Sequence, residues 1–228
     1  MDPKYRHEYK YVINLLQEEE MKSRLKIVMK EDPHVPESGF YRIRSMYFDD
    51  VDNTCFYENE NGTDPREKFR VRIYNGSSDF IRLECKRKQA GKTLKTSARL
   101  TEEQCHILME GGVIDPPDSD DPVLWKFYLK QTGRLLRPAI IVEYDRIPYI
   151  CEEGNVRVTL DKNLCSSHEF QTFLDQNIPR KPVMPVGENL LEVKYDEFLP
   201  DAIYHSIQTA GLGQATYSKY YLCRRYDR

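Results

Sequence analysis

The sequence predicts an α+β fold built around a largely antiparallel sheet. Charged and apolar residues alternate in several segments of the 228-residue chain, which is the pattern of a strand with one buried face. Turn signals such as Asn75-Gly76 separate neighbouring segments by a few residues, as in β-hairpins. Helical periodicity occurs at only a few separate places, so we expect helices that flank the sheet.

The first half of the chain carries most of the predicted strands. They are expected at 4–14, at 41–49, within the hairpin 67–88 and at 92–101. A helix is expected at 17–31, and its apolar face consists of Leu16, Met21, Leu25 and Val28. A second helix is expected at 101–112, with Thr101 as its N-cap.

The second half follows a loop at 115–122 that is rich in Asp and Pro and is the best candidate for a domain boundary. Asp121 and Pro122 occupy the N-cap and first-turn positions of a predicted helix. Further strands are expected at 137–150, 154–164 and 189–197, and a helix at 199–211. Because strands with charged faces occur on both sides of the loop, we expect one domain over residues 1–228.

Composition bounds the partners and the location of the protein. The net charge of −3 argues against a general nucleic-acid binder, which would be strongly basic. The six cysteines form no Cys-x-x-Cys pair, so a zinc site is not expected and the reducing cytoplasm is favoured. No apolar run is long enough for a signal peptide or a membrane span, so we expect a cytoplasmic protein without a membrane segment.

Ionisable residues repeat with a period of two on at least six predicted strands. They include Arg6, Glu8, Lys10, Arg70, Arg72, Glu84, Lys86, Lys88, Lys95, Arg146, Arg157, Glu192 and Lys194. A sheet with one solvated face explains such alternation by itself. The excess of cations over anions favours a second interpretation, in which the sheet curls into a closed antiparallel β-barrel of about eight strands around a ligand-sized lumen.

A lumen lined by lysine and arginine needs an anionic occupant, because unpaired buried charge is costly. The planar guanidinium of arginine suits phosphate oxygens, so an elongated polyphosphate-like anion is the expected ligand. Glu8, Glu84 and Glu192 then become candidate ligands for Mn²⁺ or Mg²⁺, which bind carboxylates together with substrate phosphates. Neither a P-loop nor a G-x-G-x-x-G motif occurs in the sequence.

Eight short motifs, taken in this order, resemble those of the VTC domain, the polyphosphate polymerase domain of the triphosphate tunnel metalloenzyme superfamily. They are "RHEYKY", "SMYFDD", "KFRVRIY", "LECKRK", "EYDR", "VRVTLD", "LLEVKY" and "YSKYY". They extend from Arg6 to Tyr221 and so cover nearly the whole chain. The resemblance implies an antiparallel β-tunnel with flanking helices that binds ATP or another nucleoside triphosphate, or inorganic polyphosphate, with a divalent metal.

The resemblance also implies roles for individual residues. Charge on the transferred group would be neutralised by Arg70, Arg72, Lys86 and Arg157. Phosphate contacts would come from Lys10, Lys95, Arg146, Ser218 and Lys219, and the alternation adds Lys88 and Lys194 to this group. Glu192 would hold the metal, and the alternation adds Glu8 and Glu84.

These features predict transfer of the γ-phosphate of ATP to the end of a polyphosphate chain. The nucleophile is already an anion, so no general base is required. One alternative is a hydrolase of triphosphate or nucleoside triphosphates in the same tunnel, with Glu8 and Glu84 orienting a water molecule. Another is a polyphosphate-binding module without catalysis. Arg6 stands where the hydrolases of the superfamily usually have a glutamate, which favours a transferase or a binding module.

Overall fold

A computed structural model describes residues 4–115, 120–215 and 218–226 of the chain. The predicted loop at 115–122 therefore lies partly outside the described residues. Ten strands among them form one antiparallel sheet: β1 (His7–Asn14), β2 (Lys30–Glu31), β3 (Tyr41–Asp49), β4 (Arg66–Tyr74), β5 (Ser77–Gln89), β6 (Lys92–Arg99), β7 (Arg137–Cys151), β8 (Val156–Ser167), β9 (Lys181–Pro182) and β10 (Glu188–Tyr195). Eight of them follow the order β1-β10-β8-β7-β3-β4-β5-β6, with β2 paired to β7 and β9 to β8.

Six α-helices flank the sheet within the described residues. They are α1 (Leu15–Val28), α2 (Thr54–Glu60), α3 (Glu102–Met109), α4 (Pro122–Arg134), α5 (Asp201–Ser206) and α6 (Lys219–Arg225). The predicted N-caps are confirmed: the Thr101 side chain accepts a hydrogen bond from the Gln104 amide, and Asp121 accepts from Val123 and Leu124. Helices α2 and α6 were not predicted from the sequence, and α5 is shorter than the predicted helix.

The sheet curls strongly but is not a closed barrel, so the prediction of closure is wrong. Between the two edge strands, β1 and β6, the described residues form a single bridge in which the backbones of Arg6 and Thr93 exchange hydrogen bonds of 2.9 and 3.0 Å. The strands are staggered, so β6 meets β1 only at this corner. Further along β1, the Ala215 amide donates to the carbonyl of Lys10 and covers part of the open edge.

Along β4, β5, β8 and β10 the apolar face of the sheet points outward and is covered by helices. On one side, Phe69, Val71 and Leu83 pack with Leu108 of α3 and Phe127 of α4, and all five are buried. On the other side, α1 and α5 pack on β8 and β10 in a second buried cluster. Leu16, predicted on the apolar face of α1, is instead 79% exposed. Because side chains alternate along a strand, burying the apolar residues outward directs the charged ones to the concave face.

None of the helices that the structure describes is both long enough and apolar enough to cross a membrane.

Candidate functional site

The concave face of the sheet encloses a cavity of about 880 Å³. Thirteen of the fourteen predicted site residues line it: Glu8, Lys10, Arg70, Arg72, Lys86, Lys88, Lys95, Arg146, Arg157, Glu192, Lys194, Ser218 and Lys219. Glu84, the fourteenth, lies behind the lining and is almost fully buried. The structure therefore brings together residues that are up to 211 positions apart, as between Glu8 and Lys219.

Glu84 is the centre of a buried ion-pair cluster in the wall. Arg70 Nε and Nη2 lie 2.8 and 2.6 Å from Glu84 Oε2, and Lys95 Nζ lies 2.9 Å from Oε1. Burial alone would raise the pKa of the Glu84 carboxyl, but Arg72, Arg70 and Lys95 outweigh it and hold this pKa well below its usual range. Both carboxylate oxygens are thus already engaged by cations of the wall.

Replacing Glu84 by glutamine is expected to destabilise the protein by about 3–5 kcal/mol at pH 7, because buried Arg72 and largely buried Arg70 lose the anion that they share with half-exposed Lys95. A carboxyl whose pKa is lowered on folding contributes its full stability above its unfolded pKa of about 4.3, and loses it as pH falls through the folded pKa. The difference in the free energy of unfolding between wild type and Glu84→Gln should therefore shrink below about pH 4. Urea unfolding from pH 7 to pH 3 measures it.

The exposed Glu188, replaced by glutamine in the same way, is the control for that series. A Glu84→Gln variant as stable as wild type at pH 7 would contradict the buried ion-pair cluster.

Glu8 and Glu192 form a second group on the neighbouring strands β1 and β10. Lys10 Nζ lies 2.7 Å from Glu8 Oε1 and 3.8 Å from Glu192 Oε2, so both carboxylates face one ammonium group. Lys86 Nζ donates to both oxygens of Glu8 at 2.8 Å, and Lys194 pairs with Glu192. Burial would raise the pKa of Glu8 and of Glu192, but the surrounding lysines hold both well below the usual range.

Two arginines from the second half of the chain also line the cavity, as predicted. Their carboxylate partners were not predicted from the sequence. Arg146 donates two hydrogen bonds to Asp161, at 2.6 and 2.7 Å, and Lys219 Nζ lies 2.7 Å from the same carboxylate. Arg157 donates to Asp32 at 2.9 Å. Asp161 lies four residues after Arg157 on β8 and so on the same face of the strand, which could have identified it from the sequence. Asp32 lies outside any alternating segment.

Tyrosines also line the cavity, and no role was predicted for them from the sequence. Tyr41, Tyr47, Tyr74 and Tyr144 all line it. The Tyr47 hydroxyl accepts a hydrogen bond of 2.7 Å from Arg70 Nη1, and the Tyr144 ring lies under Lys219, 4.8 Å from Nζ. These rings hold cationic groups in place without neutralising them.

Helices α2 and α6 lie together at one side of the cavity. The rings of Phe56 and Tyr221 stack with their centroids 5.0 Å apart, and the Tyr220 hydroxyl donates to Asp49. Asp49 also accepts the amide hydrogens of Cys55 and Phe56 at the start of α2. This packing fixes the start of α6, where Ser218 and Lys219 face the cavity.

A divalent metal fits part of the predicted ligand set. The described residues contain no group of three Asp, Glu, His or Cys side chains placed to hold a metal, so Glu84 does not join Glu8 and Glu192. Mg²⁺ and similar ions are often bound by only one or two carboxylates together with phosphate oxygens. Glu192 and Glu8, which share Lys10, therefore fit such a site, provided that the substrate supplies the other oxygens.

Comparison with known proteins identifies structures of similar fold and a matching family. A search of the curated proteins finds no match. The fold is similar to that of a Bacillus halodurans protein named as a candidate adenylate cyclase, with 15% identity, a TM-score of 0.51 and coverage of 85% of this chain and 82% of that one. It is also similar to a candidate adenylyl cyclase from Hippeastrum described as having a dominant triphosphatase activity. In that case the identity is 11%, the TM-score 0.52 and the coverage 97% and 96%.

At these identities the likeness establishes the fold. The family itself is shown by the sequence, because the model of the VTC domain matches residues 5–226: the chain belongs to the VTC domain family.

Proposed function

We propose that the protein is a metal-dependent phosphotransferase that moves the γ-phosphate of ATP onto the end of a polyphosphate chain inside the tunnel. The observation that carries this proposal is the lining of the cavity. Among the residues that the structure describes, fourteen lysines and arginines but five glutamates line it. Buried carboxylates such as Glu84 and Asp161 neutralise part of this charge from behind the lining, and the excess of cations that remains is suited to an extended polyanion.

Phosphoryl transfer needs little covalent help from the protein, since positioning and charge neutralisation lower most of the barrier. Arg72 from β4, Lys86 from β5 and Arg157 from β8 approach the cavity from different strands, so they can surround a transferring phosphoryl group. Arg70 would act with them while bound to Glu84. The attacking phosphate oxygen is an anion already, and the mechanism therefore requires no general base.

Glu192 and Glu8 would hold Mn²⁺ or Mg²⁺, which supplies further neutralisation of phosphate charge when bound. Lys10, Lys88, Lys95, Arg146, Lys194, Ser218 and Lys219 would bind the rest of the chain. We also infer that residues 1–228 act as one domain, because strands from both halves contribute to one cavity. The cytoplasmic location stays a prediction, and so does the absence of a nucleic-acid partner.

Hydrolysis of triphosphate or nucleoside triphosphates is the second candidate, favoured by the triphosphatase activity described for the Hippeastrum protein. The structure supports hydrolysis less than the sequence does, because neither predicted carboxylate is available to orient water. Glu84, one of the two carboxylates expected to orient water, is bound by Arg70 and Lys95 behind the cavity lining. Glu8, the other, is assigned here to the metal together with Glu192, so it would not also activate a water molecule.

Incubation with ATP and Mn²⁺ or Mg²⁺ tests the proposal. The expected products are ADP and chains of polyphosphate that separate on a gel, with little free phosphate. Free phosphate without chains would replace the proposal by the hydrolase. If neither product forms while polyphosphate still binds with steep salt dependence, the protein is a binding module without catalysis.

A further inference from the structure

Lys68 is a cation of the cavity wall that the sequence analysis left out of the site. It precedes Arg70 by two residues on β4, so its side chain points to the same concave face. Its ammonium group lies 3.0 Å from Ser218 Oγ and 3.5 Å from Asn59 Oδ1, and 5.4 Å from the centroid of the Tyr220 ring. Lys68 thus lies where β4 meets the start of α6.

Among the residues that the structure describes, no carboxylate lies within ion-pair distance of Lys68. This separates it from Arg70, Lys86 and Lys95, each of which is paired with Glu84 or Glu8. The groups that face it are mostly cationic or uncharged: Lys10 from β1, Arg66 and Arg70 from its own strand, Lys86 opposite it on β5, Cys55 and Asn59 from α2, and Ser218 and Tyr220 from α6.

The neighbouring hydroxyl completes a set of donors. Ser218 Oγ accepts hydrogen bonds from Lys68 Nζ and, at 3.3 Å, from the Tyr221 amide. Because these bonds occupy its two lone pairs, its own hydrogen is left for an acceptor in the cavity. An ammonium group and a hydroxyl that both offer hydrogens at one point of a cationic wall match the oxygens of a phosphate group.

We propose that Lys68 and Ser218 form an anion subsite that binds one phosphate group of the chain held in the tunnel. This inference rests on the proposed function, since it assumes that a phosphate chain enters the cavity. It adds Lys68 as a binding residue and gives it a further property.

That property is linked protonation. Burial, followed by the charge of Lys10, lowers the pKa of Lys68 to about 7, and the Cys55 thiol offers no compensating charge because burial keeps its pKa high. A phosphate anion beside Lys68 would restore the charged form. At pH 8 binding should therefore take up about one proton on Lys68, whereas at pH 6 the amine is already charged and uptake should be about zero.

Titration calorimetry with tripolyphosphate, without added metal, tests the subsite. Wild type, Lys68→Met and Lys68→Arg are each measured at pH 6 and pH 8 in two buffers of different ionisation enthalpy, which gives the number of protons bound. Comparing variants cancels the protons taken up by the ligand itself. Lys30→Met is the matched control, because Lys30 lies outside the cavity with its side chain 84% exposed. Thermal unfolding without ligand accompanies each variant.

We expect Lys68→Met to weaken binding by about tenfold to a hundredfold at pH 6, as loss of a charge-assisted hydrogen bond predicts, with Lys30→Met unchanged. Wild type should take up about one proton more than Lys68→Met at pH 8. Lys68→Arg should keep most of the affinity at pH 6 but lose the extra proton, because arginine stays charged.

Two results would overturn the subsite alone. One is equal affinity and proton uptake for wild type and Lys68→Met, while Arg72→Met binds more weakly. The other is weaker binding by Lys68→Met together with lower thermal stability and no difference in proton uptake, which would mean that Lys68 only holds α6. Failure of wild type to bind tripolyphosphate at all would instead overturn the proposed function, and the subsite with it.

Discussion

Replacing Glu192 by glutamine is expected to lower the turnover of ATP by about a hundredfold or more while the protein stays folded. Glu192 is 5% exposed and faces Lys10, Arg146 and Lys194, so its carboxylate is the anion best placed to bind a metal among these cations. Glutamine keeps the size of the side chain but removes the charge that a divalent ion requires. Initial rates of ADP formation with saturating Mn²⁺ measure the effect.

Binding separates this explanation from a general loss of structure. Without metal, Glu192→Gln should bind tripolyphosphate at least as tightly as wild type, because the variant removes a negative charge from the cavity. Glu188→Gln, on the same strand but exposed, should keep both activity and binding. Full turnover by Glu192→Gln would show that this carboxylate holds no essential metal.

Strand periodicity is the part of the site that could be predicted from the sequence. A strand exposes alternate residues on opposite faces, so once Phe69 and Val71 are assigned to the core, Arg70 and Arg72 must point away from it. The same logic placed Glu8 and Lys10 together. The alternation alone does not indicate, however, which face of the sheet is concave. Arg44 alternates with apolar residues in the same way, yet it points outward and pairs with Glu143 at 2.6 Å.

Contacts between distant segments could not be predicted in this way. The pairing of Arg157 with Asp32 joins β8 to a turn 125 residues earlier, and nothing in either segment specifies the other. Whether the sheet closes into a barrel depends on the stagger between neighbouring strands, added over every strand pair. It therefore cannot be predicted from any one strand. Helix α2 was missed because its first amides are capped by Asp49 and Asp50, which precede the helix, while the Asn53 side chain at the N-cap accepts from Arg224 and makes no capping bond.

Arg70 and Arg72 of β4 differ in a way that only the structure reveals. Arg70 is bound tightly, with Glu84 at 2.6 Å and the Tyr47 hydroxyl at 2.7 Å. Arg72 has longer contacts: 3.2 Å to Ser45 Oγ, 3.4 Å to the Tyr144 hydroxyl and 3.7 Å to Glu84. Much of the hydrogen-bonding capacity of Arg72 is therefore left for a ligand, whereas Arg70 also maintains the wall.

Replacing either arginine by methionine should separate these roles. Arg72→Met is expected to lower kcat/KM about 10²–10³-fold, as loss of one preorganised donor to a transferring phosphoryl group does, with only a small loss of stability. Arg70→Met should lower activity and also destabilise the fold by about 3–5 kcal/mol, because buried Glu84 loses its closest partner. Urea unfolding and initial rates of ADP formation measure the two effects.

Arg87→Met is the matched control, since Arg87 lies on the opposite face of β5 and pairs with Glu67 at 3.5 Å. It should leave kcat/KM unchanged. If Arg72→Met loses as much stability as Arg70→Met, then both arginines are parts of the wall and the free donors needed for transfer must come from elsewhere in the cavity. If Arg72→Met keeps full activity and full stability, the long contacts of Arg72 do not mark a binding group, and the transferring phosphate must bind nearer to Lys86 and Arg157.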